Sequence, residues 1–363
     1  MKVCFIAGTL GLGGAERQLV YMLRALQDAG VETRILCLTR GEAFESQIRD
    51  LGIEVEWVGA SKNRIIRMIT IIEKIRRMRV NILQSSHFYT NIYAGAAGRL
   101  LGIPCLGAVR NDLTSEIAAN GIFGKWLFQL PSHLVANSKL AISRAADLGI
   151  RAERLHFVNN VVEVEKQISR GHKAVDDRVH IVFVGRLVPQ KNPELFVCLA
   201  LCLVRDLPDR CMTFEVAGDG PLRSKLEQQV AGSGFQKNQF IFSGSASNID
   251  DVYRRADMII LTSNHEGTPN VILEAMAHGI PVVATKVGGV AEILDRECGV
   301  LVPAGSLEDL SLATSQLICD PTMRRQFGEN GRQCVAKNHS PSNLGKELAR
   351  IYALVAGGDR NDA

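Results

Sequence analysis

The chain predicts an α/β protein of two doubly wound, Rossmann-like domains, and three observations carry that expectation. Short apolar runs alternate with helical stretches along the whole length, which is the pattern of parallel sheets covered by helices. At 363 residues, 46% of them apolar, the chain exceeds one ordinary core and suits two. A polar, aperiodic stretch near 164–178 interrupts the alternation, and the pattern restarts at His180.

In the first half, strands are expected near 2–7, 33–38, 53–58, 80–85, 104–109 and 133–136, with helices between them. Gly30 and Gly102 sit where helices should stop. The opening run to Ala7 is too short for a signal peptide and enters a glycine-rich loop, so it reads as a buried strand. In the second half, strands are expected near 180–185, 212–217, 239–242, 257–262 and 280–285. A helix then starts at Ser306 through a capping box ending at Asp309. The expected domains are 1–165 and 166–341, with 342–363 a terminal helical segment whose last residues, 357–363, fray.

Nine scattered cysteines, an odd number without a Cys-x-x-Cys pair, argue against a disulfide framework and a structural zinc site and point to a reducing cytoplasm. Cys198 and Cys202 read as small core residues. No run reaches the length of a membrane span. The net charge of +4 is unevenly spread: residues 1–170 hold 22 Lys and Arg against 15 Asp and Glu, and the rest holds 20 against 23. A basic first half suits an anionic partner.

The most specific chemistry lies in Glu266-Gly-Thr-Pro-Asn-Val-Ile-Leu-Glu274. Thr268 is the expected N-cap, Pro269 the first helical position, and Gly279 the stop. Glu274 then rides on the helix and Glu266 in the loop before it, while the N–H groups of Asn270, Val271 and Ile272 make an anion site between the two acids. A helix-surface acid is the plainer account of Glu274. Upstream, Arg186 and Lys191 follow a strand and precede a helix, where a guanidinium fork and an ammonium together suit a diphosphate. Two solvated loop cations are the alternative.

After the first strand, Gly8-Thr-Leu-Gly11-Leu-Gly13-Gly14-Ala15-Glu16-Arg17 opens a helix and allows close backbone approach to a phosphate or a sugar. It fails as a dinucleotide loop, because Glu16 stands where the third glycine is required and no acid ends the next strand. His87 follows the strand ending near residue 85. It stands at a strand's carboxyl end that should face a ligand cleft, and a histidine satisfied by loop backbone is an equally fitting account. Arg110 and Asn111 occupy the same place after the next strand.

The segment from Glu266 to Thr285, with its two glutamates, Ala-Met-Ala-His-Gly279 and Ile-Pro-Val-Val-Ala-Thr285, resembles the retaining, nucleotide-sugar-dependent glycosyltransferases of family 4, whose signature is Glu, seven residues, Glu. The resemblance implies the GT-B architecture, with an acceptor-side first domain and a donor-side second domain facing a cleft, and a last helix that crosses back to the first. It implies transfer of a hexose or N-acetylhexosamine from a UDP-, GDP- or ADP-sugar to a glycan or lipid-linked acceptor, in cell-surface polysaccharide or glycolipid synthesis. No metal or other cofactor is expected, and no Asp-x-Asp occurs in the chain.

By the same resemblance, Arg186 and Lys191 hold the diphosphate, Glu266 the donor-sugar hydroxyls and Glu274 the ribose, with His87 near the donor sugar. Gly13, Gly14, Gly218, Gly244, Gly267, Asn270 and Val271 complete the donor contacts, and Arg110 with Asn111 face the acceptor. The chain departs from the family at Asn159-Asn160-Val161-Val162-Glu163, where Val161 replaces a flexible glycine.

Residues 64–79 put Ile65, Met68, Ile69, Ile72, Ile75 and Met78 on one helical face, with Arg67, Lys74 and Arg77 opposite. Such a helix either covers a sheet or lies on an anionic bilayer, which would make the protein cytoplasmic and peripheral. Phe123-Gly-Lys-Trp-Leu-Phe128 suits an interface or a core loop. Two other functions fit the fold: a nucleotide-sugar epimerase and a non-catalytic sugar-nucleotide binder. Nucleic acid is not an expected partner.

Overall fold

The computed structural model describes residues 1–164, 178–245 and 249–358. The expected polar stretch therefore falls largely, at 165–177, outside the described residues, as does the chain end from 359. Two compact units account for the fold, one of residues 1–161 with 341–363, the other of residues 162–340.

In the first unit the strands are β1 (Lys2–Ala7), β2 (Glu32–Cys37), β3 (Glu54–Trp57), β4 (Ile82–Ser85), β5 (Cys105–Val109), β6 (His133–Ala136) and β7 (Leu155–Phe157). They form one sheet in the order β3-β2-β1-β4-β5-β6-β7, parallel throughout. The second unit has β8 (Val179–Val184), β9 (Met212–Ala217), β10 (Phe240–Gly244), β11 (Met258–Leu261), β12 (Val282–Thr285) and β13 (Gly299–Val302), ordered β10-β9-β8-β11-β12-β13. All these pairings are parallel as well.

The apolar runs explain both sheets. Residues Val3 to Ala7 are wholly buried, as strands covered on both faces must be. Val3, Phe5 and Ala7 meet the helix Gly14–Asp28 and the last helix, Leu344–Gly358. Cys4 and Ile6 face Ile71, Ile75 and Ala94 on the other side.

Strand order reverses between β1 and β4 in one sheet and between β8 and β11 in the other, and ligands of doubly wound sheets bind at the carboxyl ends beside such a reversal. These four strand ends lead into Gly8, His87, Gly185-Arg186 and Thr262 to Glu266.

Two strands escaped sequence reading. β7 has three half-buried residues at a sheet edge, and β13 opens on Gly299 before only three apolar residues, so neither shows a long apolar run. The helix Arg64–Met78 departs from its expected face as well. Ile71 and Ile75 are its buried residues, whereas Ile65, Ile66 and Ile69 are at least half exposed. Nor are Arg67 and Lys74 a purely solvated side. Arg67 donates to Tyr93 Oη (3.2 Å) and the Ser61 carbonyl (2.8 Å), and Lys74 pairs with Glu56. The later turns of this helix cover the sheet, and its first turn does not.

Cys198 and Cys202 are only partly buried, and all nine cysteines are free thiols. Among the described residues no helix is long and apolar enough to cross a membrane.

Candidate active site

At the reversal point of the second sheet, two loops hold the expected donor-site residues. The loop after β8 is laced to the loop after β11: Thr262 Oγ1 donates to the carbonyls of Lys191 (2.9 Å) and Asn192 (2.8 Å). Asn264 N donates to the Gln190 carbonyl (2.8 Å) and Gln190 Nε2 to the His265 carbonyl (3.0 Å). This lacing brings Lys191 Nζ onto Glu266 Oε1. The same carboxylate oxygen accepts from Ser263 Oγ at 2.6 Å. With Glu266 only 5% exposed, the pair is charge-assisted and shielded from solvent. Arg186 is exposed and has no salt-bridge partner among the described residues.

Glu266 is also held from behind. Gly288 adopts φ 51°, and a Cβ there would lie 1.7 Å from the Glu266 carbonyl oxygen, so only glycine permits this approach. Gly289 N donates to the Gly267 carbonyl (2.9 Å). The Gly218 to Gly220 turn touches the Arg186 loop through Leu187 N, which donates to the Asp219 carbonyl (2.9 Å). Gly244 ends β10.

The helix expected from Pro269 begins one residue later. Pro269 occupies the cap, with φ −73° and ψ 117°, and the helix spans Asn270–Ala277. Thr268 precedes a proline and is therefore biased to extended backbone. Ile272 N donates to the Pro269 carbonyl (3.2 Å), so this N–H does not belong to the expected anion site. Glu274 is buried rather than a surface acid, and its Oε2 accepts from Tyr253 Oη at 2.6 Å. The Tyr253 ring in turn lies 5.0 Å from that of His278, just past the helix end.

In the first unit, the loop after β1 meets the loop after β4. Gly8 N donates to His87 Nδ1 (3.2 Å), and His87 Nε2 lies 2.9 Å from Glu16 Oε1. Because a backbone N–H can only donate, Nδ1 is unprotonated and the ring hydrogen sits on Nε2, directed at Glu16. Both ring nitrogens of His87 are thus occupied. Its ring stacks on Tyr89 at 5.3 Å. Burial, with Glu16 nearby, pushes the Tyr89 hydroxyl up to about 12.

Gly13 is the cap and Gly14 the first residue of the helix that carries Glu16. The glycine loop is anchored by Glu42, which accepts from Thr9 Oγ1 (2.7 Å), Leu10 N and Thr39 Oγ1. Burial alone would raise the Glu42 carboxyl, but the bonds from Thr39, Leu10 and Thr9 outweigh it and leave it below the usual range. Asn111 Oδ1 accepts from Asp112 N (2.9 Å), while Arg110 turns toward Met22.

Glu16, Glu42, Ser263 and Tyr253 are site residues that sequence reasoning missed as such. Ser263 and Glu266 carried a signal in their three-residue spacing. The others are brought in by tertiary structure alone. Among the described residues, no three His, Cys, Asp or Glu side chains are grouped to hold a metal ion.

Two doubly wound parallel sheets, of seven and six strands, make up the GT-B architecture. Residues 12–166 match Glycosyltransferase Family 4, and residues 164–334 match Glycosyl transferases group 1. An uncharacterized glycosyltransferase of Methanocaldococcus jannaschii is 31% identical over 295 residues, covering 75% of this chain and 80% of that one. A Campylobacter jejuni α-1,4-N-acetyl-D-galactosaminyltransferase, acting on a glycan carried by PP-undecaprenol, is 25% identical over 365 residues and 98% of this chain, and 99% of its own length is covered. The crystal structure of Anabaena HepE in complex with UDP and glucose superposes with a TM-score of 0.84 at 20% identity, covering 97% of this chain and 99% of that one. The chain belongs to the group 1, family 4 glycosyltransferases, GT-B enzymes that transfer a sugar from a nucleotide-sugar donor.

Proposed function

We propose that the protein is a retaining, metal-independent hexosyl- or N-acetylhexosaminyltransferase that acts on a glycan or lipid-linked acceptor in cell-surface polysaccharide or glycolipid synthesis. The observation that carries this reading is the joined Lys191, Glu266 and Ser263 cluster beside exposed Arg186 at the second sheet's reversal point. It offers a diphosphate two cations and a sugar a fixed carboxylate.

In the proposed reaction the donor's anomeric C–O bond to the diphosphate breaks while the acceptor oxygen bonds to that carbon on the same face. The acceptor proton passes to the departing phosphate oxygen. Arg186 and Lys191 stabilise the charge that grows on the diphosphate. Glu266 receives donor-sugar hydroxyls and Glu274 the ribose, each carboxylate accepting two hydroxyls. Gly218, Gly244, Gly267, Asn270 and Val271 supply further donor contacts, as do Gly13 and Gly14. His87 positions the donor sugar rather than acting as a base, since Gly8 and Glu16 hold both its nitrogens. Arg110 and Asn111 serve the acceptor.

Lipid-linked acceptors suit a peripheral enzyme at the cytoplasmic membrane face. Ile65, Ile66 and Ile69 are exposed, and residues 61–80 hold seven Lys and Arg against one acid, Glu73. A basic surface with exposed apolar side chains has the make-up of an interfacial contact. The C. jejuni relative, which acts on a PP-undecaprenol-linked glycan, supports this class of acceptor.

The deciding experiment is a thermal-shift screen against UDP, GDP, ADP and their sugars. A ligand at a hundred times its Kd adds about 2.7 kcal/mol to the folded state. One base is expected to raise the melting temperature, and a Lys191→Met variant to lose that response. A protein indifferent to all three nucleotides would overturn the reading.

A further inference from the structure

The first sheet carries a polar constellation at its carboxyl edge that the roles above leave largely unexplained. β5 ends at Val109 and Arg110 follows. Side chains alternate along a strand, so Arg110 shares a face with Leu106, which packs in one cluster with Met22 and Tyr352. There the guanidinium meets a thioether instead of an acid, with Nη2 3.3 Å from Met22 Sδ. Sulfur is a weak acceptor, and Arg110 has no carboxylate partner among the described residues. Burial lowers its pKa to about 10, and the Tyr352 hydroxyl is the one titratable group that acts on it. Arg110 is half-buried, and a cation partly taken from water without a counter-charge is costly.

The adjacent strand β4 adds two more donors on that face. Tyr352 Oη donates to Gln84 Oε1 at 2.5 Å, while Gln84 Nε2, fully buried, has no acceptor among the described residues. Two residues on, the Ser86 hydroxyl is buried and equally without a partner among the described residues. β4 and β5 are hydrogen-bonded neighbours, with Gln84 beside Leu106. Native proteins pair buried polar groups almost without exception. Donors left over where a doubly wound sheet receives its ligand are therefore donors for that ligand.

We propose that Arg110, with the Ser86 hydroxyl and the Gln84 amide, takes an anionic group, a phosphate or a carboxylate, borne by the acceptor. This rests on the reading of the first unit as the acceptor side and narrows the acceptor to a charged molecule. The guanidinium fork matches either oxyanion through two parallel bonds.

The test holds the donor site occupied with the nucleoside diphosphate found in the screen. The protein is then titrated with sodium phosphate or sodium malonate, against sodium chloride at equal ionic strength. Wild type is expected to gain melting temperature with at least one oxyanion beyond chloride, and the stronger of the two identifies the class. Arg110→Leu should weaken that anion roughly ten- to a hundredfold while keeping the nucleotide response, and Arg110→Lys should keep part of the affinity.

An oxyanion response equal to wild type in Arg110→Leu, or none in wild type, overturns the proposal. Should Arg110→Leu not fold, Ser86→Ala decides: several-fold weaker anion binding supports the site, and unchanged binding refutes it. Loss of the nucleotide response in wild type would instead strike the donor reading, and is scored separately.

Discussion

Removing the Lys191 ammonium perturbs the donor site on two scales that can be read separately. The side chains of Lys191 and Glu266 are 17% and 6% exposed, so deleting the cation strands a carboxylate away from water. Breaking one side of a buried pair costs about 3–5 kcal/mol. The lower end is expected here, because Ser263 Oγ still donates to Glu266 at 2.6 Å. In the reaction the same cation is asked to stabilise the leaving diphosphate, and its loss should cost about 2–4 kcal/mol at the transition state, or roughly 30- to 1,000-fold in rate.

The double variant Lys191→Met/Glu266→Gln separates the two effects. With neither charge left, stability should return most of the way to wild type, while nucleotide affinity and turnover stay low. Urea unfolding gives the first quantity, calorimetric titration with the screened nucleotide the second, and nucleotide release the third. Nucleotide affinity within about twofold of wild type in Lys191→Met would refute the assignment of Lys191 to the diphosphate. A double variant no more stable than Lys191→Met would refute the coupling.

Four further outcomes are expected. Glu215 lies buried beneath Arg255 and His180; burial would raise its pKa, but the bonds from Arg255 and His180 bring it from 4.5 to about 2. Its contribution, at most about 3 kcal/mol, is present above pH 4.5 and lost as pH falls toward 2, so urea unfolding between pH 6 and 2.5 should show a decline that Glu215→Gln flattens. Gly288→Ala should destabilise by about 2 kcal/mol or more and weaken nucleotide binding, because the new Cβ would meet the Glu266 carbonyl at 1.7 Å; wild-type values in both assays would count against that contact. Glu16→Ala should lower turnover about tenfold to a hundredfold through a misplaced His87, with nucleotide affinity unchanged. Vesicles containing anionic lipid should sediment the protein at low salt, less so after Ile65→Ser/Ile69→Ser; failure of wild type to sediment would end the membrane proposal.

Both sheets were legible chiefly through strands buried on two faces that read as unbroken apolar runs, as from Val3 to Ala7 and from Met258 to Leu261. The exceptions follow the same physics. β7 at an edge and β13 opening on Gly299 lack the second apolar face or the first side chain that would announce them. The helix Arg64–Met78 has helical periodicity from end to end, yet periodicity cannot say how many turns a sheet beneath will cover. Hence Ile65 and Ile69 lie outside while Ile71 and Ile75 lie inside.

The candidate site divides along a similar line. Glu266 and Glu274 sit within one turn-and-helix segment, so their spacing is itself a structural statement, and Arg186 with Lys191 shares one strand-to-helix loop. In the first unit the partners are far apart in sequence: Glu16 meets His87 across 71 positions, and Glu42 meets Leu10 across 32. No spacing encodes such a meeting. What brings them together is the order β2-β1-β4, which sets the carboxyl ends of distant strands side by side. Glu16, which in sequence spoils a dinucleotide loop, lies in the fold 2.9 Å from His87 Nε2. A third glycine there would leave that imidazole nitrogen without its carboxylate. The residue that spoils the dinucleotide loop is thus the one that holds the histidine ring in place, and Glu16→Ala tests that role through a single side chain.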